Sequence, residues 1–248
     1  MKNMKYLFFS LSVLLAMQSE SSAQQQGDPK ATEVWQPVPP VIEPGNAQKA
    51  PSDAIVLFDG SSLNEWVSAK NGGQPGWTVE NGILTVKGGA GDIKTKQQFS
   101  DCQLHIEWRT PAKVEGEGQG RGNSGIFLME QYELQVLDNY NNKTYSNGQA
   151  GSLYKQLIPL VNACRKPGEW QSYDVIFTAP RFKSDGTLES PARITVLHNN
   201  VLVQNNVELT GKTLYIGKPF YEKHGPLSIQ LQDHGNPVSF RNIWLRKL

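Results

Sequence analysis

Residues 121–138 read Arg121-Gly-Asn-Ser-Gly-Ile-Phe-Leu-Met-Glu-Gln-Tyr-Glu-Leu-Gln-Val-Leu-Asp138, and the reading of the whole chain starts there. A glycine-punctuated polar turn, Arg121 to Gly125, runs into an apolar segment, Ile126 to Met129. Beyond it the sequence alternates. Successive side chains of a strand face opposite sides, so Glu133 and Gln135 point one way and Leu134 and Val136 the other. A single strand of this kind usually turns its polar face to water. A carboxylate and an amide on that face, with Asp138 just beyond and an arginine turn leading in, can also form the floor of a binding site.

The same alternation recurs outward in both directions. Ala54-Ile-Val-Leu-Phe58 is a short apolar strand. Residues 77–80 and 83–86 flank Asn81-Gly82, a strong short signal for a two-residue hairpin. Leu104, Ile106 and Trp108 alternate with His105, Glu107 and Arg109. Residues 169–177 form a strand that ends before Pro180. Residues 193–197 and 201–204 form a hairpin around His198-Asn199-Asn200. Leu227, Ile229 and Leu231 alternate with Ser228, Gln230 and Gln232, then Asp233-His234-Gly235 leads to a last strand over 238–245. Residues 113–120 and 139–151 read as surface loops, and long loops are often functional. No apolar period of 3.6 persists long enough for a helix. Many short strands between Gly, Pro and Asn turns predict an all-β fold, an antiparallel sandwich or jelly roll.

Length and composition bound the rest. A chain of 248 residues is long enough for one large core. Residues 1–23 read as a signal peptide: Lys2 and Lys5, an apolar run from Leu7 to Met17, then Ser21-Ser22-Ala23 before Gln24. That run is too short to span a membrane. With no cysteine near the cleavage site, no lipid anchor is expected, and the mature protein is placed in the periplasm or the medium. Residues 24–52, rich in Gln and Pro, read as an extended leader, and residues 53–248 as the folded domain. Removing Lys2, Lys5 and Glu20 takes away two positive charges and one negative, lowering the formal charge from +1 to zero. A neutral chain without basic clusters argues against nucleic acid or an anionic membrane as partner. Cys102 and Cys164 could pair in an oxidising compartment. They form no zinc signature.

Three strands carry the same polar pattern: His105/Glu107/Arg109, Glu133/Gln135, and Gln230/Gln232 running toward His234. If they line one hollow they make a groove for a polyhydroxylated ligand, with Trp66, Tyr140, Tyr145 or Tyr154 to stack on sugar rings. Glu133 to Asp138 invites comparison with the Glu-x-Asp-x-x-Glu strand of retaining glucanases. Retention needs two carboxyls about 5–5.5 Å apart, and here the neighbour on the shared face is Gln135, which cannot ionise.

Arg121-Gly-Asn-Ser-Gly125, Tyr132-Glu-Leu-Gln-Val-Leu-Asp138, Gly168-Glu-Trp-Gln-Ser-Tyr-Asp174, Thr178-Ala-Pro-Arg-Phe182, Pro191-Ala-Arg193, Val196-Leu-His-Asn-Asn-Val201, Gln232-Asp-His-Gly-Asn-Pro-Val238 and Phe240-Arg-Asn-Ile-Trp244 together resemble the 3-keto-disaccharide hydrolase family, from about Asp53 to Leu248. The resemblance implies a concanavalin-like β-sandwich acting on glycosides already oxidised at C3. A C3 ketone acidifies the C2 hydrogen, so one base forms an enolate, the C1 oxygen leaves by β-elimination, and water adds to the product. Such a site needs a base, donors at the developing oxyanion and an acid for the leaving group. Arg121 and Asn123 are then expected at the oxyanion, His234 or Glu133 at the C2 proton, and Glu107 or Asp138 at the leaving group. Gln135, Tyr154, His198, Gln230, Gln232 and Arg109 are expected as sugar contacts. A divalent metal on the enolate oxygen could be held by His234, Glu133 and Glu107. The competing expectations are a conventional retaining glycosidase and a non-catalytic carbohydrate-binding module.

Overall fold

Alternating apolar residues need two sheets to bury them, and the described residues supply fifteen strands. The computed structural model describes residues 27–46 and 49–248, and the predicted signal peptide lies outside them. The strands are β1 (Ile55–Phe58), β2 (Trp66–Ser68), β3 (Thr78–Glu80), β4 (Ile83–Thr85), β5 (Ile93–Thr95), β6 (Cys102–Arg109), β7 (Ser124–Leu128), β8 (Tyr132–Val136), β9 (Gln171–Thr178), β10 (Arg181–Phe182), β11 (Leu188–Ser190), β12 (Arg193–His198), β13 (Val201–Glu208), β14 (Gln230–Leu231) and β15 (Ser239–Lys247). Three short 3-10 turns are the only helical elements among the described residues, and no helix there is long and apolar enough to cross a membrane. The chain divides into a short unit ending at Val41 and a larger one, Ile42–Leu248. In the short unit, Asp28 accepts from the Lys30 N–H and caps a turn over Pro29–Thr32. Residues 42–52, counted with the leader by composition, join the larger unit, where the Ser52 N–H donates to the Glu43 carbonyl.

Besides the small pair β10-β11, one sheet runs β13-β12-β9-β6-β15-β4-β3, with β1 also paired to β15; the other runs β2-β5-β14-β7-β8. Both are antiparallel. The longest strand, β15, serves two partners on one side: Ser239 and Phe240 pair with β4, and beyond a register shift at Asn242 the strand pairs with β1. Asn81-Gly82 and Asn199-Asn200 both take positive φ, the backbone that two-residue hairpin turns require.

The two sheets face each other as a β-sandwich, as the sequence predicts. From the larger sheet Leu104, Ile106 and Trp108 on β6 and Tyr173, Val175 and Phe177 on β9 point inward and are fully buried. Ile126 and Leu128 on β7 and Tyr132, Leu134 and Val136 on β8 meet them from the other sheet. The Tyr132 and Phe177 rings lie 5.8 Å apart, and the Tyr173 hydroxyl donates to the Gln135 carbonyl at 2.8 Å. Each fully buried Leu or Phe in this layer contributes about 1.5–3 kcal/mol. Trp66, expected as a sugar platform, belongs to this core, and its indole N–H is satisfied by the Leu57 carbonyl at 2.8 Å. Cys102 and Cys164 are both free.

Among the described residues no strand lies beside the outer margin of β8, and an open margin invites pairing with other chains. Here a folded-back segment covers it. The Gln135 N–H donates to the Ser152 carbonyl, the Gly151 N–H to the Gln135 carbonyl and the Tyr154 N–H to the Glu133 carbonyl, while the Thr213 hydroxyl accepts from the Glu133 N–H. This covering fixes where Tyr154, its neighbour Lys155 and Thr213 stand relative to Glu133.

Candidate active site

Because Tyr132, Leu134 and Val136 face the core, Glu133 and Gln135 face outward, into a cavity of about 670 Å³. That volume suits a small polar ligand. Glu133 is 5% exposed, and among the described residues no donor is hydrogen-bonded to its carboxyl group. Burial pushes its pKa up to about 8, and the nearby Asp92 carboxylate adds to the shift. Gly125, opposite Gln135 across the ladder, makes room for this side chain: a Cβ there would lie 2.7 Å from Glu133 Oε1 and 3.0 Å from the Phe127 ring. Gly125→Ala is therefore expected to destabilise the domain by about 1–3 kcal/mol. A urea midpoint equal to wild type would count against this packing.

Amides hold the second half of the floor. The Gln135 amide group donates to Asn123 Oδ1 at 3.1 Å and Gln119 Oε1 at 3.3 Å. Asn123 donates to the Gln119 carbonyl, and Gln119 in turn donates to Thr144 Oγ1 and the Gly148 carbonyl. The loops on either side of the Arg121 turn are thereby tied to β8. One wall is aromatic: the hydroxyls of Tyr145 and Tyr154 lie 2.6 Å apart, and Lys155 Nζ stands 4.1 Å above the Tyr215 ring. Gln232 and the exposed His234 stand on the side where β14 ends.

The structure thus brings together Glu133, Gln135, Asn123, Tyr154, Gln232 and His234 of the residues the sequence singles out. Others lie elsewhere, and each has a reason. On β6 the inward positions belong to Leu104, Ile106 and Trp108, so His105, Glu107 and Arg109 point to the far side of the larger sheet, away from this cavity. There Arg241 donates to Glu107 at 2.6 Å, Asn242 donates to its other oxygen, and His105 Nδ1 meets Asp174 at 2.6 Å. Burial opposes ionisation of Glu107, yet hydrogen bonds from His105, Asn242 and Arg241 hold it at about 2. Burial likewise opposes a charge on His105, but Asp174 and Glu107 push it up to about 9. Arg109 and Arg241 both stack on Trp170. This is a saturated ionic network, and the expected convergence of three polar faces is corrected to two, β8 and the end of β14.

Arg121 does not reach the cavity as an oxyanion donor. Its guanidinium donates to Asp138 at 2.7 Å and to the Tyr140 carbonyl at 2.9 Å, and this part-buried pair lines a separate cavity of about 220 Å³. Asp138 is correspondingly committed, and it also accepts from the Tyr140 N–H. Gln230 donates to Asp92 at 2.7 Å. His198 is 0% exposed, packed between Trp108 and Tyr173 in the core. With Glu107 on the far side, the trio named for a metal is split. Among the described residues no three His, Cys, Asp or Glu side chains come together as a metal site.

Sequence reasoning passed over Gln119, Phe127, Lys155, Thr213 and Tyr215. Four of them lie in loops or turns without a period to read. Phe127 was readable, since it alternates with Ile126 and Leu128 on β7.

The profile of the 3-keto-alpha-glucoside-1,2-lyase-like domain matches residues 53–246. A Bacteroides thetaiotaomicron protein named 3-keto-disaccharide hydrolase is 27% identical over 249 residues, which is 78% of each chain. A crystal structure from Parabacteroides distasonis, provisionally named a glycosyl hydrolase, is 53% identical, covers 89% of this chain and 97% of its own, and superimposes with a TM-score of 0.86. A second crystal structure from that organism, with the same provisional name, is 24% identical with a TM-score of 0.58, covering 79% and 94%, and shares the fold. The chain belongs to the 3-keto-alpha-glucoside-1,2-lyase-like family.

Proposed function

We propose that this protein cleaves glycosides already oxidised at C3, by proton abstraction at C2 and β-elimination followed by hydration. The observation that carries the reading is Glu133: a buried carboxyl on the cavity floor whose pKa, pushed up to about 8, matches a general base working near neutral pH. Its carboxylate takes the C2 proton, and the C–H electrons form an enolate on the C3 oxygen. When the enolate collapses, C1=C2 forms and the C1–O bond breaks. The leaving oxygen takes a proton delivered from the His234 side, and water then adds at C1. Gln135 and Asn123, fixed by the amide chain, shape the floor on which the sugar lies.

The family description and the relative named 3-keto-disaccharide hydrolase support this substrate class. Conventional hydrolysis fits the cavity less well. It requires two carboxyl groups across the anomeric carbon, and among the described residues lining the cavity Glu133 is the one carboxyl.

A 3-keto glucoside offered beside its unoxidised parent separates the readings. The elimination route predicts cleavage of the first, sparing of the second, and solvent deuterium at C2. Cleavage of the parent would establish an ordinary glycosidase, and cleavage of neither would reduce the protein to a binding module.

A further inference from the structure

Lys155 reaches the cavity from the segment that covers β8. The Tyr154 N–H is bonded to the Glu133 carbonyl, and the next residue, Lys155, lines the same cavity as Glu133. Its backbone takes the left-handed conformation, φ +59°, fixed by donation of its N–H to the Asn147 carbonyl. A side chain other than glycine held in that region is uncommon and worth a functional question. The half-buried ammonium group donates to the Tyr215 carbonyl at 2.6 Å and faces the rings of Tyr145, Tyr154 and Tyr215 at 5.9, 5.7 and 4.1 Å. Among the described residues no carboxylate pairs with it. Two of its three N–H donors remain uncommitted. A cation in a partly desolvated aromatic pocket without an acidic partner leaves room for an anion supplied from elsewhere.

We infer that Lys155 is a further catalytic residue, whose ammonium group receives the negative charge that develops on the C3 oxygen as Glu133 removes the C2 proton. The inference rests on the elimination reading above. No proton need pass from Lys155. The C–H electron pair becomes C2=C3, the carbonyl pair becomes the oxyanion, and the ion pair with Lys155 dissolves when the carbonyl reforms and the C1–O bond breaks. A fixed cation aimed at charge present only in the transition state lowers the barrier without tightening ground-state binding. A lysine that merely braced the Tyr215 loop would instead shape how substrate binds.

The test follows exchange of the C2 hydrogen of a 3-keto glucoside in heavy water, beside kcat and KM. Lys155→Met is expected to slow exchange and kcat together by about 10²–10³-fold with KM within a few-fold of wild type. Lys155→Arg should recover much of the loss. Lys155→Gln, which can still donate to the Tyr215 carbonyl, should remain slow, and it serves also if the methionine variant does not fold. Exchange at the wild-type rate in Lys155→Gln, or a change confined to KM, would overturn the role of Lys155 and leave the elimination reading standing. If wild type itself neither exchanges nor cleaves the ketone, the elimination reading falls, and this inference falls with it.

Discussion

Glu133→Gln is expected to lower turnover of a 3-keto glycoside by about 10²–10⁴-fold while making the protein more stable at pH 8.5. Both halves come from one fact. The side chain is buried against a neighbouring carboxylate, so its neutral form is favoured in the folded state up to about pH 8. The unfolded chain loses that proton near the ordinary glutamate value of 4.5. Between the two values the native state holds a proton that the unfolded state has released, so stability falls as pH rises through this window. Glutamine keeps the shape and never ionises. Removing the penalty should therefore raise stability at pH 8.5 by about 4–5 kcal/mol. In wild type kcat/KM should climb with pH through about 8 as the base becomes free. A variant as active as wild type would sink the role of base. A variant that is inactive and no more stable would show that the carboxyl is already solvated.

The second large effect belongs to a residue that has nothing to do with the cavity. His198 lies between Trp108 and Tyr173, with Nε2 against Gln171 Oε1 and Nδ1 buried without a partner. Gln171 Oε1 also accepts from Asn199, so Nε2 is the protonated nitrogen and Nδ1 carries the lone pair. A second proton would place a charge where no acceptor waits. Burial, helped by the charge of Arg165, accordingly pushes the pKa down to about 3 from 6.5. As pH falls below 6.5 the unfolded chain binds a proton that the native core refuses, and stability is lost. Between pH 7 and 5 this amounts to about 2 kcal/mol. His198→Phe should flatten that part of the urea-midpoint profile relative to wild type. The opposing slope from Glu133 is common to both proteins and cancels in the comparison. Parallel profiles would exclude the histidine as the source.

These two residues also show how far the sequence could be read. Alternation along β8 placed Glu133 and Gln135 on one face and Leu134 on the other, and the asparagine turns located two hairpins. What alternation cannot say is which sheet a strand joins. A sandwich has two outer faces with the same polar-apolar pattern, so His105, Glu107 and Arg109 looked like Glu133 and Gln135 while lying on the other sheet. His198 was more legible than the expected sugar contact allowed: Ile194, Val196 and His198 share a face of β12, and the first two are core residues. Lys155 and Tyr215 had no periodic signal at all, because hydrogen bonds across long loops decide where they stand.

The segment over residues 149–157 occupies the bare flank of β8 and, in the same run of amide bonds, delivers Tyr154 and Lys155 to the pocket. Shielding and assembly of the pocket are one event. Any lesion that peels this strap away removes the pocket's wall and uncovers a ladder of unpaired peptide groups at once, so a molecule that loses its wall there also becomes adhesive toward its neighbours.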